Sequence, residues 1–214
     1  MTEQYQEEIA LIRYHTPGDP FYQYNPEENA ERIDYYDGTS NSHLFIDGIV
    51  DAGYWHEPWE DDFLARMEVG SPLEITIGGS YDSESRYVDL DISVTATDEI
   101  TWDDLRLQCV TVENGIYWQA PNGLEIHNQV MRDMVPDGQG EEFSISNGET
   151  VEFGRDFFLD DVLNADSCEF MIFVQAHGTR DVLQAGKVKL PDLDETEIRD
   201  DSGRLPVASR INSC

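Results

Sequence analysis

After Pro72 the sequence changes period, and that change constrains the larger part of the fold. Leu73-Glu74-Ile75-Thr76-Ile77 and Tyr87-Val88-Asp89-Leu90-Asp91-Ile92-Ser93-Val94 alternate apolar with polar residues. Successive side chains on a strand point to opposite faces, so each segment predicts a strand with one dry face. Further strands are predicted at 104–112, 124–132, 141–146, 149–157, 169–176 and 181–190. Gly78-Gly79, Asn114-Gly115, Asn122-Gly123, Asp137-Gly138 and Asn147-Gly148 punctuate them as turns. Several short strands at this spacing predict an antiparallel β-sandwich over 71–190.

Residues 1–70 follow another pattern. Ile9-Ala10-Leu11-Ile12-Arg13-Tyr14-His15 reads as a buried strand, broken by Pro17, Gly18 and Pro20. A helix is predicted over 25–36. Asn25 caps it, Pro26 suits its first position, and Glu27 and Glu28 favour the positive end of its dipole. Strands at 44–46 and 49–52 follow, then an amphipathic helix over 58–67 with Trp59, Phe63 and Met67 on one face. Gly70-Ser71-Pro72 marks the boundary. Residues 191–214 read as an acidic tail or linker, whose apolar Leu205-Pro206-Val207-Ala208 and Ile211 also make it a candidate donor strand for the exposed edge at 9–14.

Charge narrows the classes of partner. The 214 residues hold 45 Asp and Glu against 13 Lys and Arg, a formal net charge of -32. Such a surface repels phosphate backbones and anionic lipid, so nucleic acid is set aside. A solvated surface, adaptation to high salt and divalent-cation binding all remain open, although calcium has no EF-hand spacing to support it. With 39% hydrophobic residues, ten Tyr, nine Phe and four Trp, the chain is expected to fold. No run of eighteen apolar residues predicts a membrane span. Residues 1–8 are polar and acidic, so no signal peptide is expected there.

Candidate side chains for chemistry are few. Cys109, Cys168 and Cys214 form neither a Cys-x-x-Cys nor a zinc pattern. Cys109 reads as a buried core thiol, with a Cys109–Cys168 disulfide as the alternative. His15, Asp19 and His43 are weighed as metal ligands, but a structural histidine at the strand end is the simpler reading. Trp55, His56, Pro58 and Trp59 are weighed as a sugar platform against core packing. Glu57, Glu60, Asp61 and Asp62 are weighed as paired carboxylates against dipole complementarity. Ser42, His43 and Asp47 lack a nucleophile elbow. His127 and Arg132 are predicted on one strand facing opposite sides, one at the core edge and the other exposed. Gly78-Gly79 stands alone in a turn, with no phosphate loop around it. No catalytic, cofactor-binding or metal-binding residue is assigned.

Residues 9–193 resemble the Omp28-related exported proteins. The resemblance rests on Tyr14-His15 with Asp19-Pro20-Phe21, and on Asn25-Pro26-Glu27 with Arg32. Tyr35-Tyr36 and Leu44-Phe45-Ile46-Asp47-Gly48 continue it. In the second region it rests on the stretch 105–113, on His127-Asn128-Gln129-Val130-Met131-Arg132-Asp133-Met134 with Gly140, on Phe173-Val174-Gln175 and on Val182-Leu183-Gln184-Ala185. It implies an α+β chain: a partial thioredoxin-like α/β region followed by an antiparallel β-sandwich, exported to the extracellular side or the cell surface. Two departures remove redox chemistry from the expectation. The family's upstream cysteine motif has no counterpart here, and disulfide exchange needs an attacking thiolate. Ser42 stands where many members carry proline, and a serine holds a cis bond at roughly 3 kcal/mol against about 1 for proline.

The expected function is a non-enzymatic surface or extracellular module that works through protein contact or self-association at an exposed sheet edge. A redox-accessory protein whose active half is missing and a carbohydrate- or calcium-binding module are the alternatives.

Overall fold

Alternation in the sequence becomes paired sheets. The computed structural model describes residues 5, 8–38, 43–53, 59–193, 198–199 and 207–212. The first region supplies strands β1 (Ala10–His15), β2 (His43–Ile46) and β3 (Val50–Gly53). There follow β4 (Leu73–Asp82), β5 (Tyr87–Ala96), β6 (Leu105–Glu113), β7 (Ile116–Tyr117), β8 (Ile126–His127), β9 (Val130–Met134) and β10 (Glu141–Phe143). The last are β11 (Thr150–Phe158), β12 (Cys168–Ala176), β13 (Val182–Lys189), β14 (Ile198–Arg199) and β15 (Val207–Asn212). The helices are α1 (Pro26–Tyr35) and α2 (Trp59–Met67).

One large sheet runs β13-β12-β6-β9-β1-β15-β2-β3, with β10 on β6 beside β9. A smaller sheet runs β11-β5-β4-β14. The two regions separated at Pro72 therefore share a sheet. They meet at β1 and β9, which pair in parallel at Arg13 and Val130.

The large sheet is dry on both sides. Leu107 and Cys109 of β6 and Phe170, Ile172 and Val174 of β12 face the smaller sheet's Ile75, Ile77, Leu90 and Ile92. Val110, Val112, Met171 and Phe173 face the other way and pack with Ile12, Tyr14, Ile33 and Tyr36 beneath α1. Burial on both faces explains why the β12 segment reads as a continuous apolar run. Ile9 and Leu11 point away from α1 and pack with Leu44, Ile46, Trp59 and Phe63 under α2. Thus α1 covers one face, while α2 and the smaller sheet divide the other.

Both helices form where the sequence places them. The Asn25 side chain accepts from the Glu28 N–H at 3.2 Å, and Pro26 opens α1. Asp37 leaves the helix at φ 55, and the Gly38 N–H bonds the Ile33 carbonyl. Trp59 and Phe63 of α2 are buried, as their spacing requires.

Three expectations are corrected. Residues 207–212 are not a tail or linker: β15 lies between β1 and β2, parallel to the first and antiparallel to the second. Cys109 and Cys168 are both free thiols. In the β6–β12 ladder Cys109 sits opposite Ile172 and Cys168 opposite Glu113. That four-residue offset is about 13 Å of strand, beyond the reach of a disulfide. His127 and Arg132 do not share a strand, because the chain turns at Gln129 with φ 55. Both side chains are buried.

Candidate functional site

A cleft of about 800 Å³ opens where both sheets meet the start of α1. The end of β6 contributes Thr111 and Glu113, β9 contributes Arg132 and Asp133, and the end of β11 contributes Phe157 and Phe158. Tyr24 and Asn25, leading into α1, close one side, and the loop 159–164 closes the other.

Its floor holds a buried ion pair. Arg132 Nη1 donates to Glu113 Oε2 at 2.8 Å, and both side chains are under a tenth exposed. Glu113 Oε1 accepts the Asn164 N–H at 3.0 Å, which ties the loop to the floor. The Arg132 guanidinium lies 3.6 Å from the centre of the Tyr24 ring. A cation held on one side by a carboxylate and on the other by an aromatic face is fixed in direction. Beside the pair, Thr111 is 1% exposed and its Oγ1 has no hydrogen-bond partner among the described residues.

The rim is apolar and open. Phe158 is 70% exposed, Val162 74% and Tyr24 45%. Phe158 packs edge-on against Tyr87, with centroids 5.3 Å apart, so its ring is held while its face meets solvent.

Behind the cleft, α1 is pinned by a buried arginine. Arg32 donates to the Gly138 carbonyl at 3.3 Å, to the Tyr36 hydroxyl at 3.0 Å and to Gln175 Oε1 at 2.9 Å. Its guanidinium lies 4.6 Å from the Tyr35 ring centre and 5.1 Å from that of Tyr36. Burial pushes the Tyr14 hydroxyl above the usual phenol range, although the neighbouring Arg32 pulls it down. Glu28, on the same helix, is pushed up to about 8, first by burial and then by the nearby Asp133 carboxylate. Burial also raises Asp133.

The residues weighed from sequence are scattered. His15 Nδ1 lies 3.1 Å from Asp19 Oδ2, both buried, and Asn29 Oδ1 accepts the His15 backbone N–H. His43 pairs instead with Asp51 at 2.5 Å, and Asp47 with Arg66 at 2.8 Å. No group of three or more metal-ligating side chains is assembled among the described residues. Asp47 does not orient His43, and Ser42 lies outside the described residues. So do Trp55, His56, Glu57, Pro58 and Cys214. Trp59 packs inward and donates its Nε1–H to the Ala52 carbonyl at 2.8 Å. Glu60, Asp61 and Asp62 occupy the first turn of α2, where the helix dipole favours them.

Sequence reasoning did not find the cleft. Its parts come from four separate stretches, 23–25, 111–116, 132–133 and 157–164, and Arg132 alone among them had been weighed as a site residue. The one local signal is Glu113, an acid closing the apolar run 105–113.

Residues 32–192 match the family model of the Outer membrane protein Omp28. Among solved structures the chain is similar in fold to HBP35 of Porphyromonas gingivalis, with a TM-score of 0.70 and 14% identity. That match covers 84% of this chain and 62% of that one. A domain of the outer membrane lipoprotein Omp28 from Porphyromonas gingivalis matches with a TM-score of 0.40 and 14% identity, over 56% of this chain and 88% of that one. No curated protein matches the chain. No described helix is long and apolar enough to cross a membrane.

Proposed function

Because the chain belongs to the Outer membrane protein Omp28 family, which supports an exported, cell-surface location, we propose that it is a non-enzymatic interaction module that works by strand exchange. The observation carrying this reading is the placement of β15. Six registers bond it in parallel to β1, from Ala10–Val207 to His15–Asn212. Four bond it antiparallel to β2.

The region before Pro72 is read as a partial thioredoxin-like unit that lacks a strand between β1 and β2. Without β15 those two strands would each present unpaired backbone groups. Such edges recruit another strand, and the main-chain bonds that result do not depend on sequence. A segment from the far end of the chain fills the slot here. A second copy fills it equally well if its own β15 is exchanged, and that is the proposed mode of self-association.

A redox role finds no support in the described thiols. Cys109 and Cys168 are buried, and burial pushes each up to about 12. A thiol at that value holds almost no thiolate near neutrality.

Deleting residues 194–214 tests the proposal. The full-length chain is expected to associate at tens of micromolar in light scattering, and the shortened chain, with no β15 to exchange, to stay monomeric and bind a labelled synthetic peptide of residues 205–214. The full-length chain should take up that peptide only slowly, as its own strand leaves. A full-length chain that stays monomeric at that concentration, or a shortened chain that keeps its near-ultraviolet circular dichroism but ignores the peptide, overturns the reading. Should the shortened chain unfold, peptide uptake by the full-length chain decides alone, and no uptake counts against the proposal.

A further inference from the structure

We propose that the cleft between Tyr24, Arg132 and Phe158 is a binding site for a neutral oligosaccharide, a property independent of strand exchange. Three features of the site select that chemistry.

The first is electrostatic. The floor cation is already matched, since Arg132 is bonded to Glu113 and both are buried. Asp133 and Asp160 also line the cleft, in a chain of net charge -32. An anionic ligand meets repulsion with no free cation in the cleft to offset it. A simple cation meets the Arg132 guanidinium. A neutral ligand meets neither cost.

The second feature is the arrangement of polar groups. Thr111 lines the cleft, and its Oγ1 is a buried hydroxyl with no partner among the described residues. An unpaired buried hydroxyl is costly, and the cost is removed by a ligand that both donates and accepts. Sugar hydroxyls do both. Asn114 and Asn164 line the same space, each with one amide atom bonded within the fold, and the Asp133 carboxylate beside them offers acceptors to adjacent hydroxyls.

The third is the rim. Phe158 and Tyr24 expose apolar ring surface at the mouth. A pyranose carries an apolar C–H face as well as its hydroxyl edge, so it can lie on a ring and reach the floor together. A volume of about 800 Å³ accommodates two or three such units. The earlier candidate platform at Trp59 is closed to this role, because that side chain packs beneath its own helix.

The test uses the full chain, isotope-labelled, and titrates it with maltotriose, cellotriose, mannotriose and N,N′,N″-triacetylchitotriose in separate NMR experiments. Saturable shifts confined to residues around the cleft are expected for at least one of the four at millimolar concentration or below. Phe158→Ala removes an exposed ring, and Thr111→Val removes the orphan hydroxyl at nearly constant shape. Each is expected to weaken that binding at least tenfold while leaving the thermal midpoint unchanged or, for Thr111→Val, raised. Tighter binding of inorganic phosphate or of an acidic peptide overturns the proposal. So does the absence of saturation at 10 mM for all four sugars, or binding that both variants retain.

Discussion

Arg32 shows how one side chain joins parts that lie far apart in sequence. It leaves α1, passes between Tyr35 and Tyr36, and ends on Gln175 of β12 and the Gly138 carbonyl. Among the described residues no carboxylate hydrogen-bonds Arg32 in this cage, although the chain has 45 of them. The charge is held by neutral oxygens and aromatic faces, which costs desolvation and yields a fixed direction. Arg32→Ala would orphan Gln175 Oε1 and leave a void. A loss of about 2–4 kcal/mol in urea unfolding is expected. Arg32→Met fills the space, and Gln175 Nε2 still donates to the Tyr36 hydroxyl, so it should cost clearly less. Equal losses would show that the lost hydrogen bonds, rather than the volume, matter here. The sequence held Arg32 within a family motif but offered no physical reason for it, because two of its three hydrogen-bond partners are 106 and 143 residues away. Thr111 and Glu113 were hidden in the same way, since a cleft assembled from separate stretches has no period.

At the scale of elements, legibility follows how local the cause is. The start of α1 is written in four consecutive residues, and it forms there. The sandwich strands are written in period two, and β5 and β11 lie close to their expected bounds, whereas β4 runs on through Gly78-Gly79, which read as a turn, to Asp82. The apolar Val207, Ala208 and Ile211 mark a candidate donor for the β1 edge, but its place between β1 and β2 is not written locally, because a slot is a property of those strands and not of residues 207–212. The break between β8 and β9 was missed because Gln129 adopts a left-handed φ that its type does not announce. Helix α1 also carries a pH dependence. Glu28 faces Asp133 on β9 and Glu31 on its own helix, and its folded value of about 8 exceeds the ordinary value of 4.5. The folded state therefore holds this proton more tightly than the unfolded chain does. Its contribution to stability is complete below about 4.5 and is lost as pH rises through about 8. Glu28→Gln keeps the shape without the titration. The variant's thermal midpoint should fall less than the parent's between pH 5 and 8.5, and parallel curves would contradict this.

Across the whole molecule the dominant unbalanced quantity is charge. Forty-five carboxylates face thirteen Lys and Arg, and several of those cations are committed inside the fold. Arg32 is caged, Arg132 is paired with Glu113, and Arg66 with Asp47. The cations left to balance the acidic exterior are fewer than the composition suggests. Repulsion across such a surface opposes the compact state, and salt relieves it, because the Debye length falls from about 30 Å at 0.01 M to about 3 Å at 1 M. The buried pairs are screened much less, so salt should remove repulsion while sparing the attractions that organise the core and cleft. The thermal midpoint is therefore expected to rise steadily from 10 mM to 1 M sodium chloride. A flat or falling midpoint would mean that attraction between surface charges outweighs their repulsion. Calcium at matched ionic strength separates screening from binding. Equal midpoints in the two salts keep the account electrostatic, whereas a rise at micromolar calcium would require cation sites not assembled among the described residues.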